Sequence, residues 1–372
     1  FMPFNQGSHG AGEVGGAGNP QRDDGEYVTS YLWKNVLRRE VLLAILQRFI
    51  MRQTETKISL IVNKHGKEKE VSETKVKIIF PRYHQLDVVE KLIHDTETKG
   101  AGRNYLIQHS AGSGKSNSIA WLTYRLASLH DKKNQNIFNG VFVVTDRRVL
   151  NRQLQETILG FEHVEGTVTT ITEDDSNASE KLKNAINTEK TGIVITTLQR
   201  FPQIYREVNK QGGRNYAVVV DEAHSSQSGK SAEKLKAALA DTDEALKEMA
   251  EWEEKSVEEL EQEQDALMLD LLSQGQHGNL SFYAFTATPK PKTLQTFGIP
   301  VTGAADGEPR YKAFHNYSML QAIEEGFIMD VLKNYTTYQI SYEIARQSED
   351  NPDYEETPAT RALKAFHDSH KD

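Results

Sequence analysis

From residue 78 onward the chain alternates short, β-branched apolar runs with longer stretches whose apolar residues recur every three or four positions. The runs at 105–107, 141–145, 168–171, 193–196, 217–220 and 282–286 predict strands, and 116–129 and 148–158 predict helices between them. Runs apolar throughout their length belong to strands covered on both faces. The fold class this predicts is α/β, a parallel sheet sandwiched by helices. Upstream the pattern differs. Residues 1–26 hold seven glycines with Pro3 and Pro20 and predict irregular structure. Residues 30–52 predict helix. The apolar stretch 31–50 also carries Lys34, Arg38, Arg39, Glu40 and Arg48, so that helix is amphipathic rather than lipid-embedded. The polar stretch 54–77 predicts a hairpin. Past Thr288 the signal thins to a helix at 319–325, a strand-like alternation at 331–342 and a polar tail from Arg346. There is no internal repeat.

Composition narrows the class. A chain of 372 residues permits two or three domains and a well-buried core. It has no apolar run of about 18 residues, so no helical membrane span is predicted. It has no cysteine, which excludes disulfides and thiolate-held zinc and fits a cytoplasmic enzyme. No secretory leader is visible, and the first residue is Phe1 rather than Met, which reads as a piece of something longer. The net charge of −9 is concentrated in one place. Residues 231–272 hold 14 acidic and 4 basic side chains, and removing them leaves the remainder near +1. The acidity fits a solvated helical insert or a partner-docking element, and it leaves nucleic acid open as a partner.

Two motifs carry chemistry. HSAGSGKS, residues 109–116, follows a predicted strand and opens a predicted helix. Glycines let the backbone approach a phosphate closely, and a helix N-terminus favours anions, so Ser110, Ala111, Gly112, Ser113 and Gly114 read as a phosphate cradle. Lys115 would reach the β- and γ-phosphates, and the Ser116 hydroxyl would ligate magnesium. One position departs from the full pattern: six residues before the lysine, where glycine is usual, stands His109. The second motif, VVVDEAH at 218–224, is an apolar strand ending in two carboxylates. At the carboxyl edge of a parallel sheet such groups line the crevice where ligands bind. Asp221 suits magnesium, and Glu222 suits orienting and deprotonating an attacking water.

Other segments fit around these. Gln85 lies 30 residues before Lys115, and its amide could donate to and accept from adenine. Thr145, Arg147 and Arg148 join a strand end to a helix start, and Thr197 and Gln199 follow another strand end. Hydroxyls and arginines at such points suit contacts along a nucleic-acid backbone, and ordinary helix capping accounts for them equally well. Thr286 and Thr288, in FTATP, place two hydroxyls at a strand end where the state of a nucleotide can be relayed.

Taken in order, Gln85, the Gly-rich loop, TDRR, TTLQRF, DEAH and TATP resemble a superfamily-two helicase motor. PRYHQLDVV, NYLIQHSAGSGKSNSIAWL, VVTDRRVLNRQLQ, ITTLQRF and VVVDEAHSSQSG resemble, more narrowly, the restriction (R, or HsdR) subunit of type I restriction–modification enzymes. The lead-in FMPFNQG…GGAGNP…TSYLWKNVL resembles the stretch joining that subunit's nuclease domain to its motor. The resemblance covers roughly residues 1–345, and His109 is itself typical of the family's loop.

It implies ATP and Mg2+ as cofactors, double-stranded DNA as the track, and methyltransferase and specificity subunits as partners, with no membrane. It adds Arg82 and His224 to the nucleotide-binding set. It also implies a domain plan: 1–77, a linker and helical segment after a nuclease domain outside this chain; 78–300, the first RecA-like motor domain with the acidic insert 231–272; 301–372, a linker and the start of a second motor lobe. No Asp…Glu-x-Lys nuclease set is evident, since Glu73-Thr74-Lys75 and Glu97-Thr98-Lys99 match only its short end. Three functions stay open: a DNA-driven ATPase lobe, a nucleotide-binding module inactive alone, and a helicase-like ATPase acting on RNA.

Overall fold

The computed structural model describes residues 4–62, 68–145, 148–161, 166–171, 178–187, 192–197, 213–221, 278–301 and 310–330. The chain divides into two units, Phe1–Glu325 and Gly326–Asp372, and of the second only residues 326–330 are described.

The first unit opens with a π-helical turn, Leu32–Val36, then α1 (Arg39–Arg48) and an antiparallel hairpin of β1 (Met51–Val62) and β2 (Glu68–Ile79), registered Met51 to Ile79. Then follow α2 (Tyr83–Lys99), β3 (Asn104–His109), α3 (Lys115–Ala127), β4 (Gly140–Thr145), α4 (Arg148–Leu159), β5 (Val168–Thr170), α5 (Ala178–Asn187), β6 (Gly192–Thr197), β7 (Tyr216–Val220) and β8 (Leu280–Thr286). Beyond these lie α6 (Pro291–Phe297), the short pair β9 (Ile299–Val301) and β10 (Arg310–Lys312), β11 (His315–Tyr317) and α7 (Met319–Glu324).

Seven strands form one sheet in the order β11-β3-β8-β7-β4-β6-β5, every neighbouring pair parallel. Alternation along each strand sorts the side chains to two faces. Ile107, Val141, Val143, Ile193, Ile195, Ala217, Val219 and Phe285 enter one core, with Val88 and Leu92 of α2, Ile119 and Leu122 of α3, and Leu154 and Ile158 of α4. Leu106, Phe142, Val144, Val194, Val218, Val220 and Phe282 enter the other, with Ile186 of α5 and Phe297 of α6. All residues of β4, β7 and β8 are buried, as two-sided coverage requires. The N-terminal flank is bolted to this body through Trp121. Its ring packs between Phe49 and Phe161, and its Nε1–H donates to the Phe49 carbonyl at 3.1 Å.

The six predicted strands and the 54–77 hairpin are present. The helix expected over 30–52 is broken. Arg38 is extended, at φ −61° and ψ 144°, which separates the π-turn from α1, and Met51 already belongs to the hairpin. Residues 4–26 hold no helix or strand, yet they are anchored: Gly12 makes an antiparallel bridge to Asn316, so the outer edge of β11 is covered. The sheet also reaches past residue 300, where a linker was expected, because β11 pairs with β3. The alternation at 331–342 and the acidic insert 231–272 lie outside the described residues. Among the described residues no helix is long and apolar enough to cross a membrane.

Candidate nucleotide-binding site

Because all seven strands run parallel, their carboxyl ends share one edge, where ligands bind in open α/β sheets. There β3 ends at His109, β8 at Thr286 and β7 at Val220, with Asp221 next. Leu106, Ala284 and Val220 are cross-strand neighbours, so Asp221 lies two strand spacings, about 10 Å, sideways from β3. The Asp221 amide donates to the Val144 carbonyl at 3.0 Å, which ties it to β4.

The loop from Ser110 to Gly114 turns β3 into α3. Gly112 and Gly114 have φ of 69° and 77°, the left-handed conformation that side chains resist, so glycine is required at both. Helix α3 starts at Lys115 with no side-chain cap and no acidic residue in its first turn, which leaves the positive end of the helix suited to an anion. Ala111 and Gly112 are exposed, while Ser113 is buried with its hydroxyl unpartnered among the described residues. A polar, uncapped and partly open cradle of this kind fits a phosphate chain. Among the described residues no group of three or more His, Asp or Glu could hold a metal. Ser116 and Asp221 would therefore hold magnesium only together with phosphate oxygens and water, the usual habit of that ion.

Three side chains at the start of α2 grip the loop from behind. Arg82 Nη2 donates to the Gly112 carbonyl at 2.8 Å, and His84 Nε2 to Ser113 O at 2.9 Å. Gln85 Nε2 donates to Gly114 O at 3.0 Å, while its Oε1 accepts from the Arg82 amide at 2.8 Å. Gln85 is 2% exposed. Both ends of its amide have partners within the protein, which ties it to the loop. A methyl group on Gly114 would sit 2.5 Å from Gln85 Nε2, a second reason for glycine there.

Behind the loop lies a set of buried rings. His84 stacks on Tyr317 with centroids 3.7 Å apart, and His109 Nε2 meets His315 Nδ1 at 2.8 Å. His315 Nε2 meets Asp87 Oδ2 at 3.0 Å. Burial, together with the positive charge of Arg82, pushes His84 well below its ordinary value; burial and the neighbouring His315 do the same to His109. His315 is lowered by burial against the pull of Asp87. Burial alone would raise Asp87, but the hydrogen bond from His315 and the charge of Lys91 hold it below the usual carboxylate range. Near neutral pH these directions favour neutral imidazoles beside an ionised Asp87.

The sequence predicts Arg82, Gln85, Ser110 to Ser116, Asp221, Glu222, His224, Thr286 and Thr288 at one site. The structure sets the loop and its α2 supports in contact and puts Asp221 and Thr286 on the same sheet edge. Thr286 Oγ1 accepts from the Thr288 amide at 3.3 Å. Glu222, His224, Arg147 and Gln199 lie outside the described residues, as do the side chains of Arg148 and Thr197. Sequence reasoning missed His84, Asp87, His315 and Tyr317. His84 and Asp87 stand beside Gln85 in a segment already singled out, whereas nothing around the triplet His315–Tyr317 marks it.

A Gly-rich loop between the second strand of a parallel sheet and the helix that follows it, with Asp221 ending a nearby strand, is the arrangement of a RecA-like P-loop NTPase lobe. Residues 84–244 match the family described as SWI2/SNF2 ATPase, and that stretch carries both the loop and Asp221. The chain is also 31% identical over 157 residues to the type I restriction enzyme HindI endonuclease subunit of Haemophilus influenzae. That match takes in 40% of this chain and spans only 14% of the relative. Among solved structures, a fragment assigned to an HsdR subunit of a type I restriction enzyme from Vibrio vulnificus aligns over 78% of this chain and 40% of its own. Its identity is 14% and its TM-score 0.37. The SWI2/SNF2 ATPase core from Sulfolobus solfataricus, solved with double-stranded DNA, aligns over 57% and 34%, at 14% identity and a TM-score of 0.33. Likenesses this slight carry no argument, and what stands beside the geometry is the similarity of residues 84–244 to the SWI2/SNF2 ATPase family.

Proposed function

We propose that the chain is the ATP-binding motor lobe of a type I restriction enzyme R subunit, a cytoplasmic machine that moves double-stranded DNA alongside methyltransferase and specificity subunits. The carrying observation is the uncapped, glycine-shaped loop at the carboxyl end of β3, on the same sheet edge as Asp221. The match to a restriction subunit supports the narrower assignment. Under it, residues 1–77 lead in from the nuclease part, 78–300 form the lobe and 301–372 lead toward its second half.

Bound with Mg2+, ATP supplies the phosphoanhydride whose hydrolysis drives the motor. The loop amides and Lys115 bind and orient the phosphates, and Lys115 neutralises charge that builds on them during transfer. Ser116 and Asp221 hold the metal, and Glu222 orients a water and takes its proton. Arg82, His84 and Gln85 keep the loop in shape, with Thr286 and Thr288 placed to respond at the neighbouring strand end. Arg147, Arg148, Thr197 and Gln199 contact the DNA backbone.

DNA-stimulated ATP hydrolysis by the complete subunit is the test. Lys115→Ala and Glu222→Gln should each lower turnover by about a hundredfold or more, the scale of losing one preorganised charge-stabilising group. Glu222→Gln should retain ATP binding. Undiminished turnover in both variants would sink the assignment, and stronger stimulation by duplex RNA than by duplex DNA would redirect it to an RNA motor.

A further inference from the structure

The position where the phosphate-loop pattern usually has glycine is occupied by a histidine that is 0% exposed and joined to two further residues. The directions of those bonds follow from charge. Asp87 is ionised and can only accept, so His315 Nε2–H donates to it. Neutral His315 then offers Nδ1 as an acceptor, and His109 Nε2–H donates to that atom. The Nδ1 of His109 is left buried without a partner among the described residues. The result is a one-way relay, His109 to His315 to Asp87, from the first position of the loop motif through β11 to α2. Its outer end is closed by Lys91, whose Nζ lies 2.7 Å from Asp87 Oδ2 and donates to Ala11 O at 2.9 Å. Gly12, at φ 83°, packs so tightly on His315 that a methyl group there would sit 2.8 Å from its Cδ2.

The same strand grips the loop a second time. His109 is in register with Tyr317, and the Ser110 amide donates to the Tyr317 carbonyl at 3.0 Å. Tyr317 in turn stacks on His84, which holds Ser113 O. Both ends of the Gly-rich turn are thus fixed from one side by neutral imidazoles. Apolar side chains would fill this space without the cost of burying a carboxylate and an orphaned ring nitrogen. What they would lose is the hydrogen-bonded tie from the first position of the loop motif to β11 and α2.

We infer that Asp87 and His315 are positioning residues for the phosphate loop. They act through His109 and set nucleotide affinity without touching nucleotide. This inference rests on the ATP-binding reading above, and the test separates the two. Mg-ATP affinity is measured by titration calorimetry on the 372-residue chain and on Asp87→Leu, Asp87→Asn and Lys115→Ala. Asparagine can still accept from His315, so Asp87→Asn should bind within about threefold of the unaltered chain. Asp87→Leu should bind about tenfold more weakly, the scale of one lost charge-assisted hydrogen bond. A folded Asp87→Leu chain with unaltered affinity, beside a Lys115→Ala chain that has lost binding, overturns this inference alone. An unaltered chain that binds no ATP overturns the nucleotide reading and this inference with it. Should Asp87→Leu fail to fold, imidazole nitrogen–proton NMR spectra of the unaltered and Asp87→Asn chains decide. His109 and His315 must both be Nε2–H tautomers with signals that shift together on Asp87→Asn; any other tautomer pair overturns the relay.

Discussion

Lowering the pH from 7.5 to 5.5 should destabilise the folded chain steeply, for a reason visible in the buried rings. His84, His109 and His315 are held neutral, each pushed down first of all by burial. In the unfolded chain each takes up a proton near pH 6.5. Below that pH the unfolded state binds more protons than the folded one, so stability falls as pH falls, from about 6.5 down to the depressed folded values. A histidine that stays neutral while folded gives up about 1–2 kcal/mol between pH 7.5 and 5.5. His84 and His109 together account for about 3 kcal/mol, and His315 adds less because Asp87 pulls the other way. The depressed carboxyl of Asp87 acts in the same direction, but only at lower pH, near its unfolded value of about 3.9. Against a typical total of roughly 5–15 kcal/mol, a loss near 3 is large. Urea unfolding followed by circular dichroism at pH 7.5, 6.5 and 5.5 measures it. His84→Gln keeps a donor for Ser113 O and removes the titrating ring, so its profile should be shallower by about 1–2 kcal/mol over that range. A flat profile in the unaltered chain, or an equal slope in His84→Gln, would refute the reasoning.

Three further outcomes are expected. Trp121→Ala removes a ring that is 1% exposed and clamped between Phe49 and Phe161, and should cost about 3–5 kcal/mol in urea unfolding, with Trp121→Phe costing clearly less. Gly114→Ala forces a side chain into a left-handed backbone and against Gln85; thermal unfolding should show a loss of about 1–2 kcal/mol, and Mg-ATP binding should fall with it. His109→Gly brings the loop closer to the common pattern yet should destabilise by roughly 2–4 kcal/mol, since it leaves the His315 acceptor unpaired and frees the backbone. A His109→Gly chain as stable as the original would remove the relay from consideration.

The strands that build the site were legible because each is a run of β-branched and aromatic residues buried on both sides, a pattern that survives without tertiary knowledge. The loop was legible for a similar reason: left-handed backbone at residues 112 and 114 demands glycine, and glycine is visible in a sequence. The break at Arg38 was not, since apolar spacing continues through it and only the extended backbone of one residue interrupts the helix. Gln85 was legible as a residue of the site, but its bonds to the loop and to the Arg82 amide were not. It is the third helical residue of a capping box whose first member is Arg82 rather than the usual serine or threonine, so the reciprocal pairing left no familiar trace. Strand β11 had no local signal whatever. His-Asn-Tyr is neither alternating nor β-branched, and it is a strand only because β3 on one side and Gly12 on the other supply its partners.

That same invisibility explains the departure at His109. The phosphate-loop pattern merges two demands, left-handed backbone within the turn and a small residue where the strand gives way to it. Among the described residues the only non-glycine with positive φ is Asn134, so His109 lies outside the left-handed region and its position does not need glycine for conformation. What remains is a question of space, and β11 answers it: the three-residue strand supplies His315 as a partner for the ring and Tyr317 as a partner for the Ser110 amide. The histidine and the cryptic strand are therefore one feature seen from two ends of the chain, 206 residues apart. A substitution pattern judged from the loop alone would count His109 as a defect. Judged with β11 in place, it is the point where the loop is tied down.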